Sequence, residues 1–365
     1  MRGSAEAAPV PAEQQSPELI EFTSAGYLRF VLMLFVCFWA FGCPEPTGIV
    51  TALSGFATPC FFILSGYFVL VDHPAERLGK VVRKIKRSAI CMGIVLVFYI
   101  LLNVGFCLLT NMGVAVTKRV VFNFVVLNLW PMPVGDSFWF IQSMVYAYIV
   151  ILIAEKLKLM RFYKIVLILL IVVMLLTGEF AGLIKFNFLG YPYIPGNWLT
   201  RALPYILLGR LIREKRSVIL AMRKWTYIVM FLIGAGLVIL EMILLGRNGL
   251  LIYEGHMIGY GIMAFAICSF CLSIQIASGN RVVHFDPSIS GLIYIFMNPI
   301  YYALVLFLGY QHLDFLAYFG GLTALLASVV LALILAGTPF SRICFSNWDQ
   351  RLAGAMTEEE MDVME

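Results

Sequence analysis

Polar residues in this chain gather in short gaps between apolar runs, and the runs are long. They fall near 25–42, 47–71, 88–110, 137–155, 163–182, 224–245, 250–278, 289–309 and 314–336, with a shorter one at 199–213. In hydrocarbon every backbone N–H and C=O must find its partner within the segment, so each run reads as a helix, and about 20 residues cross a bilayer. The pattern predicts an all-α fold, a polytopic membrane bundle of about ten transmembrane helices, with both tails on one side. The stretch VVFNFVVLNLWPMPVG, 120–135, is too short to cross and carries two prolines that break a helix, so 111–136 is expected to stay at one face or re-enter from it. The aromatic, Pro- and Gly-bearing segment 185–200 reads either as an interfacial anchor or as a surface that stacks on a sugar ring. Residues 1–22 are expected to form a disordered tail, 23–338 a single ten-span domain, and 339–365 an acidic tail.

Composition agrees: 61% of the 365 residues are hydrophobic and 13% are charged, and the mean hydropathy is +0.92, which excludes a soluble domain. Charge adds orientation. Sixteen of the 26 basic residues fall in three segments, 72–87, 156–164 and 210–224. With the tails and Arg281, 20 share one side against five on the other (Lys118, Arg119, Lys185, Arg201, Arg247). The positive-inside rule then puts both termini in the cytoplasm of an inner (plasma) membrane protein. The net charge of +5 is a topology signal and implies no nucleic acid. Seven of the eight cysteines lie in or at the ends of apolar segments, where a thiol acts as a small hydrophobe. Cys268 and Cys271 form a C-x-x-C in mid-helix with no second Cys or His pair nearby, which favours packing, and no metal is assigned.

The candidate chemistry starts with Arg29, the one charge in LRFVLMLFVCFWAFG, 28–42. It lies about one turn into its span. It can snorkel to the headgroups, or it can clamp an anion through the fixed fork of the guanidinium. In TPCFFILSGYF, 58–68, Pro59 loosens the second span and Ser65-Gly66 permits close approach of a helix or ligand. In GDSFWF, 135–140, Asp136 or Ser137 can cap a helix and Trp139 can anchor at the interface. In IYIFMNPIYYA, 293–303, Asn298 precedes a helix-kinking proline.

These pieces, in this order and joined by RLGKVVRKIKR, 77–87, and LPYILLGRLIREKR, 203–216, resemble the acyltransferase-3 family of membrane acyltransferases. The membrane domain of serine racemases linked to glycopeptide resistance resembles the same pattern. The resemblance implies transfer of an acyl group, often acetyl, from cytoplasmic acyl-CoA to a hydroxyl of an extracytoplasmic glycan or lipid-linked acceptor, among membrane lipids and with no bound cofactor. It implies Arg29 as the donor-binding residue and a cavity lined by Ala40, Ser65, Tyr67, Trp139 and Asn298. The family's first span carries a basic residue followed eleven positions later by histidine. Eleven residues return to within about 20° of the same face, about 16 Å higher, and that position here is Ala40. The family's late His-Pro is likewise Asn298-Pro299.

Of the four histidines, His73 and His284 fall in loops on the tail side and His312 in a short external turn, whereas His256 lies about two turns into the eighth span, two residues after Glu254. His256 and Glu254 are therefore the candidate catalytic residues. Glu179 and Glu241 also fall in outer halves of spans, where hydrogen bonding between helices is the competing reading. Two functions stay open: an acyltransferase, and a non-catalytic relative that binds or translocates a small polar solute or a lipid-linked sugar.

Overall fold

The computed structural model describes residues 17–43, 48–110, 117–186, 196–248, 256–274, 287–308, 315–336 and 338–341. Among these it is all-α, with no strand. The helices are α1 Pro17–Phe41, α2 Ile49–Ser54, α3 Ala57–Val69, α4 Pro74–Thr110, α5 Lys118–Phe122, α6 Phe138–Lys156, α7 Tyr163–Thr177, α8 Leu203–Glu214, α9 Arg216–Ala221, α10 Lys224–Arg247, α11 Ile258–Ser273, α12 Pro287–Leu308 and α13 Gly321–Leu335. Among the described residues seven helical segments are long and apolar enough to cross a membrane, α11 and α13 are shorter apolar helices, and α8 follows directly on the π-turn Trp198–Ala202. Large apolar side chains such as Leu101, Leu109, Ile168, Leu232 and Phe307 point outward, as hydrocarbon requires.

Without a hydrophobic drive between helices in lipid, association depends on close packing. At the crossing of α3 with α8 the two backbones touch. A Cβ added to Gly66 would lie 2.0 Å from the carbonyl oxygen of Ile206, and one added to Gly209 would lie 2.1 Å from that of Ile63. Tyr67, Tyr148, Tyr227 and Phe62 are among the largest fully buried side chains of the interior.

One end of the bundle carries the basic segments. There Arg77 on α4 pairs with Glu155 on α6 and donates to the carbonyls of Val71 and Asp72, at 2.9 and 3.1 Å. Lys164 and Tyr163, at the start of α7, both donate to Glu214 at the end of α8. At the opposite, far end, the segment after α5 does not cross. It is strapped down: Asn103 Nδ2 donates to the carbonyl of Val134, Gln142 Nε2 to that of Phe124 at 2.8 Å, and the N–H of Gly135 to Asn298 Oδ1 at 2.7 Å.

Three sequence expectations change in detail. The second span is two helices, α2 and α3, broken at Gly55, where a Cβ would lie 2.4 Å from the Tyr260 ring. The basic segment 72–87 is no loop: α4 starts at Pro74 and runs for 37 residues, its first turns supported by a Lys80–Glu76 ion pair at 2.9 Å. Ser137 stands at the N-cap of α6 but makes no side-chain capping bond.

Candidate functional site

A cavity of about 210 Å³ opens among α1, α3, α4, α6 and α12. Helical periodicity supplies its walls. On α1 the lining residues are Arg29, Met33 and Val36, spaced four and three, and on α3 they include Phe61, Ser65 and Phe68. α4 contributes Lys84, Arg87 and Ser88, one face of the helix that the basic run folds into. Arg29, Lys84 and Arg87 thus sit toward the basic end, with the Arg29 guanidinium 5.6 Å from the centre of the Phe68 ring. Toward the far end the lining is apolar: Phe140 and Met144 from α6, Ile295 from α12. Ser65, nearer the basic end of α3, is held 2.8 Å from the Tyr148 hydroxyl, and Thr58, Ser88, Ser290 and Tyr294 also bring hydroxyls to the lining. The cavity is cationic at one end and oily at the other.

The structure separates the other residues expected to line it. Tyr67 is rotated off the lining face of α3, buried, with the guanidinium of Arg213 5.3 Å from its ring centre. Asn298 is committed to the Gly135 N–H, which holds the far-end strap against α12 one residue before Pro299. Ala40 is exposed and does not line the cavity, although it continues the face of Arg29, Met33 and Val36 toward the far end. Trp139 belongs to a second cluster. Glu254, His284 and His312 lie outside the described residues.

That second cluster is built around Arg201 at the far end. Asn197 caps the π-turn Trp198–Ala202, its Oδ1 accepting from the N–H groups of Leu199 and Thr200 at 2.9 and 3.1 Å, and this turn delivers Arg201 to the interior. Gly196 leaves room for this side chain: a Cβ there would lie 2.3 Å from the Arg201 guanidinium carbon and would make the guanidinium shift. Arg201, only 5% exposed, lies 5.5 Å from the ring centre of Trp39 and 5.4 Å from that of Trp139. His256, 4% exposed, sits 2.8 Å through Nε2 from the Tyr205 hydroxyl, and its Nδ1 has no hydrogen-bond partner among the described residues. The Phe140 ring, which lines the cavity, stands 6.1 Å from the Trp139 ring and 5.2 Å from that of Tyr294, so the two clusters adjoin there.

The neighbouring acids divide. Glu241 Oε2 accepts from the N–H of Ile258 at 3.1 Å and so caps α11, a structural role. Glu179 is 1% exposed, and neither carboxylate oxygen has a partner among the described residues. The thiols of Cys268 and Cys271 turn to the carbonyls of Cys60 and Ser24.

Sequence reasoning missed Lys84, Arg87 and Arg201. In the sequence the first two belong to a basic segment that signals topology, though their spacing with Ser88 marks one helical face, and Arg201 stands beside a polar, aromatic segment with nothing to mark it as buried. Three cations beside an apolar chamber can hold a phosphate-bearing thioester by its phosphates while accommodating a short acyl chain. A buried imidazole with one nitrogen unengaged can accept a proton. The acyltransferase-3 family model, described as an acyltransferase domain, matches residues 22–338 of the chain. No curated protein and no solved structure matches it.

Proposed function

The chain belongs to the acyltransferase-3 family, and on that premise we propose that it moves an acyl group, acetyl being the first candidate, from cytoplasmic acyl-CoA to a hydroxyl of an extracytoplasmic glycan or lipid-linked acceptor. The observation that carries the reading is the cavity, which joins Arg29, Lys84 and Arg87 to an apolar chamber. Coenzyme A is a string of phosphates joined to a thioester arm, so the cations take the phosphates and the chamber takes the arm. The positive-inside bias supports a cytoplasmic position for that mouth and for both termini, in an inner or plasma membrane.

The acceptor then meets the thioester from the side of His256. Its hydroxyl oxygen attacks the carbonyl carbon; the C–O bond of the ester forms, the C–S bond breaks, and coenzyme A leaves as a thiolate that takes up a proton. The hydroxyl proton passes to a base, a step that contributes about 10²–10⁴-fold in such reactions. His256 is our candidate for that base, since the family's histidine position is Ala40. Glu254, two residues away, is the second candidate.

The test is transfer of labelled acetyl from acetyl-CoA to cell-envelope glycans by the purified protein in nanodiscs. Transfer that requires the Lys84/Arg87 pair supports the reading. Tight acetyl-CoA binding with no transfer to any glycan would instead identify a donor-binding relative without catalysis, and failure to bind acetyl-CoA at all would overturn the proposal.

A further inference from the structure

We propose that the basic end of the bundle holds a second anion site, separate from the Arg29 cavity, which seats the phosphate headgroup of an anionic phospholipid. The site is a pocket of about 540 Å³ between the start of α4, the end of α6, the turn Leu159–Phe162 and α8, and it shares no lining residue with the Arg29 cavity. Arg77, Lys156, Lys158, Arg161 and Arg210 line it against a single acid, Glu155.

That acid is already engaged. Both of its oxygens accept from Arg77, and Arg210 Nη1 lies 3.7 Å from one of them. Arg77 is fixed by this pair and by two backbone carbonyls, which makes it part of the wall. Arg210 lies over the ring of Tyr163, 4.6 Å from its centre, and reaches Glu155 only at ion-pair distance, while its Nε and Nη1, shielded from solvent, make no hydrogen bond among the described residues. Buried donors of this kind call for an acceptor. The remaining three cations stand exposed at the rim.

The neighbours of those cations point to a lipid as the source of the phosphate. Along Lys156-Leu157-Lys158-Leu159 cations alternate with exposed leucines, 63% and 48% accessible, and Leu78 on α4 and Phe162 beyond the turn are exposed too. Leu78 lines the pocket beside the cations, whereas Leu157, Leu159 and Phe162 stand outside its lining, exposed around the rim where acyl chains would lie. Basic pockets between transmembrane helices on the cytoplasmic side bind anionic headgroups in this way. A soluble phosphate would have no use for the apolar rim. The bias of loops toward basic residues explains five cations at this end, but it does not explain two enclosed nitrogens of Arg210 that make no hydrogen bond among the described residues.

The experiment measures thermal unfolding of the purified full chain in mixed micelles with dioleoyl phosphatidylglycerol or dioleoyl phosphatidylcholine added at matched concentrations. Phosphatidylglycerol is expected to raise the unfolding temperature by several degrees and phosphatidylcholine to leave it unchanged. The pair Lys158→Ala and Arg161→Ala, both exposed, should remove that shift while unfolding at the wild-type temperature in phosphatidylcholine. The pair Lys118→Ala and Arg119→Ala at the far end should keep it. Equal shifts with both lipids, a shift that survives loss of Lys158 and Arg161, or one abolished by millimolar inorganic phosphate or coenzyme A would each overturn the proposal, the last because it would assign the pocket to a soluble phosphate.

Discussion

At the scale of single residues, Arg29 and His256 make opposite demands. If Arg29 grips a donor phosphate through its fork, Arg29→Ala should weaken acetyl-CoA binding at least tenfold and Arg29→Lys noticeably less, because lysine keeps the charge and loses the bidentate geometry. Isothermal titration in nanodiscs checks this, and equal affinity for all three proteins would leave Arg29 as a snorkelling residue. His256→Ala should abolish transfer, whereas Ala40→His should raise it by restoring a titratable group above Arg29 on the face of α1. Initial rates on envelope glycans decide, and brisk transfer that ignores both substitutions would exclude His256 as the base. Arg29 was legible in the sequence because a charge inside an apolar run is conspicuous. Arg201 was not, because next to a loop of Pro, Gly and aromatics nothing in the local pattern tells a buried arginine from a solvated one.

At the scale of helices, the crossing of α3 with α8 leaves no room for a side chain at Gly66 or Gly209. Either glycine changed to alanine must push the helices apart, so the unfolding temperature in detergent should drop by several degrees, far more than for Gly79→Ala on α4, where a Cβ meets nothing. Asn298→Ala should also destabilise, by about 1–3 kcal/mol, since it orphans the buried N–H of Gly135. Denaturant titration measures that loss. The polytopic helical bundle was readable from hydropathy, but the ends of its helices were not. The basic run 77–87 looked like a loop because charge suggests solvent, yet lysine and arginine are good helix formers, and α4 simply continues through it. Lys84 and Arg87 thereby reach the cavity as part of a helix face, which a loop reading hides.

At the scale of the whole molecule, the asymmetry of charge makes a simple demand on topology. Single cysteines at His73, Lys158 and Arg223, all exposed at the basic end, should react with membrane-impermeant thiol reagents only after the cytoplasmic side is opened; labelling in intact cells would reverse the orientation. The stacking of Arg201 between Trp39 and Trp139 has an optical consequence as well. These two of the chain's six tryptophans come from α1 and α6, and a guanidinium from the turn before α8 sets the electric field on both indoles. The protein therefore carries a built-in fluorophore at its far end: an acceptor that draws the guanidinium aside shifts the emission spectrum, and Arg201→Gln shifts it with no acceptor present.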